Sequence, residues 1–254
     1  MRPILTLATL VATAALPILA QQTPKPKSQK EVDALKKVQA DAQAGNLDQE
    51  ITDINYVLEN FADTEYKDML LNMAMEAAQK KGDYGQTVAF GEQVIKNNPN
   101  DVTARVTLAN TIAQHSKDTD LDKDKSVKQI RDYANKSLEL LKGNVAPPAG
   151  VPAEKWPDFK KQLTSQAYDA LGQAAELEKK YPDAITQYKA AQEADPSNSV
   201  ATVLLARAYN GNKQYDDAIA AADKALAVAD APPAVKQFAQ QQKDMATRLK
   251  GAAK

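Results

Sequence analysis

Cysteine is absent from all 254 residues, and histidine and tryptophan occur once each, as His115 and Trp156. No disulfide, thiolate metal site, lipidated N-terminal cysteine or cysteine nucleophile can be built from such a chain. A Ser-His-Asp arrangement would rest on His115 alone. The chain has only nine glycines and four phenylalanines, and neither a Walker A sequence nor a dinucleotide-binding glycine fingerprint occurs. Valine, isoleucine and aromatic residues are too few to furnish a sheet. Alanine, glutamine, lysine, leucine and aspartate dominate instead, which predicts an almost all-helical protein without a cofactor. A glycosidase-type pair of carboxylates is the one catalytic device this composition leaves open.

Neither charge dominates. The 32 basic and 33 acidic residues are interspersed, giving a formal net charge of −1. Without a basic stripe there is no electrostatic basis for holding nucleic acid or an anionic membrane surface. The opening "MRPILTLATLVATAALPILA" sets Arg2 before an uncharged run to Ala20. This reads as a secretory signal peptide over residues 1–20, cleaved after Ala20, with an uncleaved membrane anchor as its rival. Cleavage would leave a flexible tail over 21–29 and no integral membrane domain.

The rest of the chain is periodic. "YDALGQAAELEKKYPDAITQYKAAQEADPS" from Tyr168 aligns with "TVLLARAYNGNKQYDDAIAAADKALAVADA" from Thr202. Leu171 and Leu205, Tyr181 and Tyr215, Ala184 and Ala218, Ile185 and Ile219, and Ala191 and Ala225 are each 34 positions apart. Upstream, Leu71, Ala74, Met75, Gly82, Tyr84, Val94, Ile95 and Pro99 keep the same frame, with Thr87 where alanine is usual. A weaker first unit over about Glu31–Phe61 repeats the turn, Gly45-Asn46-Leu47 mirroring Gly82-Asp83-Tyr84.

On these residues the sequence resembles the tetratricopeptide repeat (TPR) family, whose unit is a pair of antiparallel helices. Tyr168, Leu171, Gly172, Ala184, Tyr188, Ala191 and Pro196 match the family pattern, while Ala175, Ala222 and Asp230 depart from it. The resemblance implies an all-α, right-handed superhelical solenoid of about five hairpins plus a C-terminal capping helix, and the style of the signal-like opening reads as that of an exported bacterial member. Small residues at the crossing let paired helices approach, and bulky ones fill the space to the next hairpin.

Three hairpins are expected over 30–141 and two over 158–230. The segment "KGNVAPPAGVPAEKWP" is too rich in proline and glycine to be continuous helix, and reads as a linker over 142–157 splitting the array into two lobes. Trp156 is expected to pack at the start of the following helix, with a binding role as the alternative. The stretch 231–254 reads as a capping helix and tail, with Val235, Phe238, Met245 and Leu249 along its apolar face.

One run breaks the period. "KDTDLDKDK" at 117–125 places Asp118, Asp120, Asp122 and Asp124 at alternate positions, as a calcium loop begins. A complete loop needs glycine at its sixth position and glutamate at its twelfth, where this chain has Lys123 and Gln129. The run therefore reads as an insertion in the turn of the third hairpin. Lengthening that turn from about three residues to twelve costs only about 1.2 kcal/mol.

By the family's frame, the first helix of each hairpin lines a concave groove that takes a peptide or a partner helix. The resemblance carries that role to Asn72, Glu76, Asn110, Asp169, Gln173, Arg207 and Asn210, with Met69, Thr103, Val106, Val200 and Val203 beside them. Asn110, Arg207 and Asn210 are the expected donors to a peptide. The family's carboxylate clamp is not implied, because most of its positions hold Val, Asp or Leu. The expected function is a non-enzymatic protein-binding scaffold or adaptor of the bacterial envelope, in the periplasm. A calcium- or glycan-binding module using the aspartate run and Trp156, and an envelope hydrolase, are the alternatives.

Overall fold

The computed structural model of the chain describes residues 24–148 and 150–252. The expected signal peptide lies outside them. Eleven α-helices and no strand occur among the described residues. No helix among them is long and apolar enough to cross a membrane. They form two compact units, 24–104 and 105–252.

In the first unit α1 (Gln29–Ala44), α2 (Leu47–Asn60), α3 (Lys67–Lys81) and α4 (Tyr84–Asn97) pack in sequence, each on the next. The contact stripe follows helical spacing: Ile51, Ile54 and Val57 on α2 meet a core containing Leu70, Leu71, Ala74 and Ala78 of α3 and Val94 of α4. Ser28 caps α1, accepting from the Glu31 amide at 3.1 Å. Glu31, almost fully buried, accepts from Thr64 Oγ1 at 2.7 Å and from the Lys27 amide at 2.6 Å. Tyr66 Oη donates to the Pro24 carbonyl at 2.7 Å, and the Lys25 amide donates to Glu65 at 3.0 Å. The described end of the expected flexible tail, residues 24–28, is thus tied to the 63–66 connection by a buried carboxylate that needs those donors.

Helix α5 (Val102–His115) spans the division between the units. The second unit continues with α6 (Lys123–Lys142), α7 (Trp156–Leu177), α8 (Tyr181–Ala194), α9 (Ser199–Gly211), α10 (Tyr215–Leu226) and α11 (Pro233–Ala252). Helices α6 to α10 pack in sequence, and α11 covers both α9 and α10. Ala184, Ala218, Ala222 and Ala225 are wholly buried, as the small-residue crossing requires. Gly172 lies so close to the Tyr188 ring that a Cβ would fall inside it.

Several boundaries differ from the sequence reading. The segment expected to separate two lobes at 142–157 instead connects α6 to α7, which pack together within the second unit. Arg131 of α6 pairs with Glu178, and Lys160 Nζ donates to the Gly143 carbonyl at 3.2 Å. Trp156 begins α7, partly buried, its ring 6.2 Å from that of Phe159. The aspartate run is only partly a turn. Helix α5 ends at His115 and α6 starts at Lys123, so the run's last three residues form the first turn of α6. Asp124 there meets the positive end of the helix dipole.

On α11 the buried residues are Val235, Ala239, Gln242 and Ala246, while Met245 is 40% exposed. The alanines select this face because it allows α11 to approach α9 and α10 closely, which Met245 and Leu249 would prevent.

Candidate functional site

The second unit carries an open groove of about 720 Å³. Its wall residues recur at helical spacing: Gln173, Glu176 and Leu177 on α7, Val200, Leu204, Arg207, Asn210 and Gly211 on α9, and Gln242 and Met245 on α11. Ala113 and Gln114 at the end of α5, and Ser116, Lys117 and Asp118 after it, close one edge. Tyr181, the first residue of α8, enters because its ring lies against Gly211, where a Cβ would overlap it. The groove is therefore built chiefly by the first helices of successive hairpins.

At its floor three helices share one ionic knot. Arg207 Nε donates to Glu176 Oε1 at 3.0 Å, and its Nη2 donates to Glu176 Oε2. Tyr188 Oη donates to the same carboxylate at 2.6 Å. The guanidinium also sits 5.9 Å from the centre of the Phe238 ring. Burial opposes the charged form of Arg207, but the attraction and hydrogen bonding of Glu176 outweigh it and raise the pKa. Burial, reinforced by the Glu176 charge, pushes the Tyr188 hydroxyl well above its ordinary value.

The residues expected to line a groove have three fates. Gln173, Val200, Arg207 and Asn210 do line it. Asn110, Asp169, Val106 and Val203 are buried. Asn72, Glu76, Met69 and Thr103 belong to the first unit. There Asn72 Nδ2 donates to the Asp68 carbonyl at 3.0 Å and Glu76 pairs with Lys80 at 2.7 Å.

The expected peptide donors are already engaged. Asn110 Nδ2 donates to the Val106 and Gln166 carbonyls, both at 3.0 Å. Asn210 Nδ2 donates to the Gln242 carbonyl at 2.9 Å and to its Oε1 at 3.1 Å. Asp169 accepts from Asn198 Nδ2 at 2.8 Å. These amides join successive hairpins, because buried polar groups cost free energy unless partnered. Arg207 is held by Glu176 and is not a free cation.

Sequence reasoning missed Glu176, Leu177, Tyr181, Leu204, Gln242 and Met245. For Glu176 a signal existed: it stands one 34-residue period before Asn210, which the frame had placed in the groove. The aspartates serve the turn. Asp120 Oδ2 accepts from the Lys117 amide at 2.7 Å, and Asp118 pairs with Lys179 at 3.1 Å. Among the described residues no three His, Cys, Asp or Glu side chains come together to hold a metal. His115 is exposed at the end of α5.

Residues 175–241 match the family model described as tetratricopeptide repeat. No curated protein matches the chain. Solved structures of TPR proteins share its fold. A thermophilic TPR protein of Thermus thermophilus is 13% identical, with a TM-score of 0.55 over 84% of this chain and 98% of its own. YrrB, described as a TPR protein with an unusual peptide-binding site, is 15% identical, with a TM-score of 0.55 over 88% and 94%. MamA is 15% identical, with a TM-score of 0.56 over 78% and 91%. The chain has the fold of tetratricopeptide-repeat proteins, and between residues 175 and 241 it carries their repeat in sequence as well.

Proposed function

We propose that this protein is a non-enzymatic interaction scaffold that holds a peptide or partner helix of another protein in the groove of its second unit. The observation that carries this reading is the groove's make-up. Tyr181, Val200 and Met245 supply apolar surface around an arginine and an asparagine amide that are already engaged within the fold. Such a surface gains by covering apolar area and needs little reordering to bind. The volume of about 720 Å³ suits a short peptide stretch or one face of a helix. The carboxylate at the groove floor, Glu176, is bound to Arg207 and Tyr188 rather than free for acid–base work, which favours binding over catalysis. The likeness to YrrB, described as having a peptide-binding site, supports the same reading.

The leader-like residues 1–20 support a site of action in the bacterial cell envelope, with the periplasm as the compartment. The test is site-directed photocrosslinking in the native envelope, with the probe at Met245 in the groove or at exposed Lys224 on α10. The expected result is a discrete partner protein joined through Met245 alone. Identical products from both positions would sink the proposal.

A further inference from the structure

An arginine in the floor of a groove ordinarily draws a carboxylate, because a guanidinium pairs with one through two parallel hydrogen bonds. In this chain that place is already taken. Arg207 Nε donates to Glu176 Oε1 at 3.0 Å and Nη2 donates to Glu176 Oε2, the two-point geometry that a ligand carboxylate would otherwise adopt. Tyr188 Oη holds the same carboxylate at 2.6 Å, and the Phe238 ring, 5.9 Å from the guanidinium, offsets more of its charge. An anion reaching Arg207 would have to break both bonds. It would leave Glu176, whose side chain is only 12% exposed, with Tyr188 as its remaining partner.

We propose that Glu176 is the specificity-determining residue of the groove. By neutralising Arg207 from within, it turns the groove away from acidic segments and C-terminal carboxylates and toward an uncharged, internal stretch of peptide. This rests on the peptide-binding reading of the groove and names what that peptide must be. Arg207 Nη1 has no partner within the chain, and the side chain is 37% exposed, so the floor can still donate to a neutral main-chain carbonyl. It does so without offering net positive charge. Of the other charged residues lining the groove, Asp118 is paired with Lys179 at 3.1 Å, and Lys117 is exposed at the edge, where solvent screens it. Gln173 and Gln242 on the walls are uncharged. Selectivity therefore follows from a charge placed against wrong partners as much as from contacts with the right one.

Selection from a displayed library of random short peptides, flanked on both sides so that no chain end is free, tests the idea on the purified protein. Met245→Lys serves as the control that identifies peptides held in the groove. Among those peptides, aspartate and glutamate should fall below their frequency in the starting library. Glu176→Gln frees Arg207 and should reverse this, enriching acidic residues and binding a selected acidic peptide about tenfold more tightly than the unaltered protein does. Arg207→Gln leaves Glu176 without its cation and should enrich lysine and arginine instead. Because the two substitutions move the preference in opposite directions, a shared loss of folding cannot imitate the result, and if one variant fails to fold the other still carries the test. Enrichment of acidic residues by the unaltered protein, or the same charge preference from every folded variant, would overturn the inference and leave the scaffold reading standing. If neither the unaltered protein nor any variant enriches a peptide in a Met245-dependent way, both readings fall together.

Discussion

Lys179 and Lys213 occupy equivalent left-handed backbone positions, φ 61° at both, one 34-residue period apart. Each ends the first helix of its hairpin: the Lys180 amide donates to the Ala175 carbonyl and the Gln214 amide to that of Tyr209, both at 2.9 Å. In the first unit Gly45 and Gly82 fill the same role at φ 72° and 74°. Only glycine adopts this conformation without a Cβ penalty. Lys213→Gly should therefore stabilise the protein by about 0.5–1 kcal/mol in urea melts. Lys213→Val, which worsens the strain, should shift the midpoint the other way.

Gly172 admits the Tyr188 ring at the α7–α8 crossing. Gly172→Ala should destabilise by about 1–3 kcal/mol, the usual cost of overpacking. Far-UV circular dichroism should show unchanged helix content at low temperature. The cost should shrink when Tyr188 is replaced by leucine, because the obstructing ring is then gone.

The pairing of Glu176 with Arg207 joins α7 to α9 across the groove floor. The Arg207 side chain is 37% exposed, so solvent screens part of the interaction. Arg207→Met should cost about 1–3 kcal/mol, less than for a fully buried pair, because Glu176 loses its main partner. A double-mutant cycle with Glu176→Gln should return a favourable coupling that survives added salt better than that of the exposed Lys128–Asp132 pair.

Burial raises the pKa of Tyr188 in the folded protein above its ordinary value of 10.0. Above that pH the unfolded chain releases the phenolic proton while the folded chain keeps it. The unfolded state then binds fewer protons, so stability falls as pH rises beyond about 10. Tyr188→Phe should flatten this alkaline loss. Urea denaturation at pH 9, 10 and 11 would measure the difference, and parallel curves for the two proteins would contradict it.

Much of the helix pairing could be read from local pattern. Ala184 and Ala218, one period apart, are both wholly buried. Gly45 and Gly82 mark real turns, but Lys179 and Lys213 carry no local sign of one, and only the repeat frame places them. The apolar face of α11 was read in part: Val235 is buried and Phe238 packs against the core, whereas Met245 is 40% exposed. Contact with α9 and α10 also selected small Ala239 and Ala246, which a reading weighted by size passes over. The aspartate run was read as a turn throughout, yet α6 begins inside it, at Lys123.

Helical class, period and small-residue crossings were legible from the residues alone, because they follow from propensity and from spacings within one or two turns. Which polar side chains face a partner, and which are consumed by the fold, was settled only when the helices packed. Asn110, Arg207 and Asn210 look alike in sequence as donors, but each meets an acceptor 31 to 56 residues away. Such pairings depend on the packing of whole helices, and burial then requires them to be satisfied. The same packing left Met245 with apolar surface exposed beside the groove.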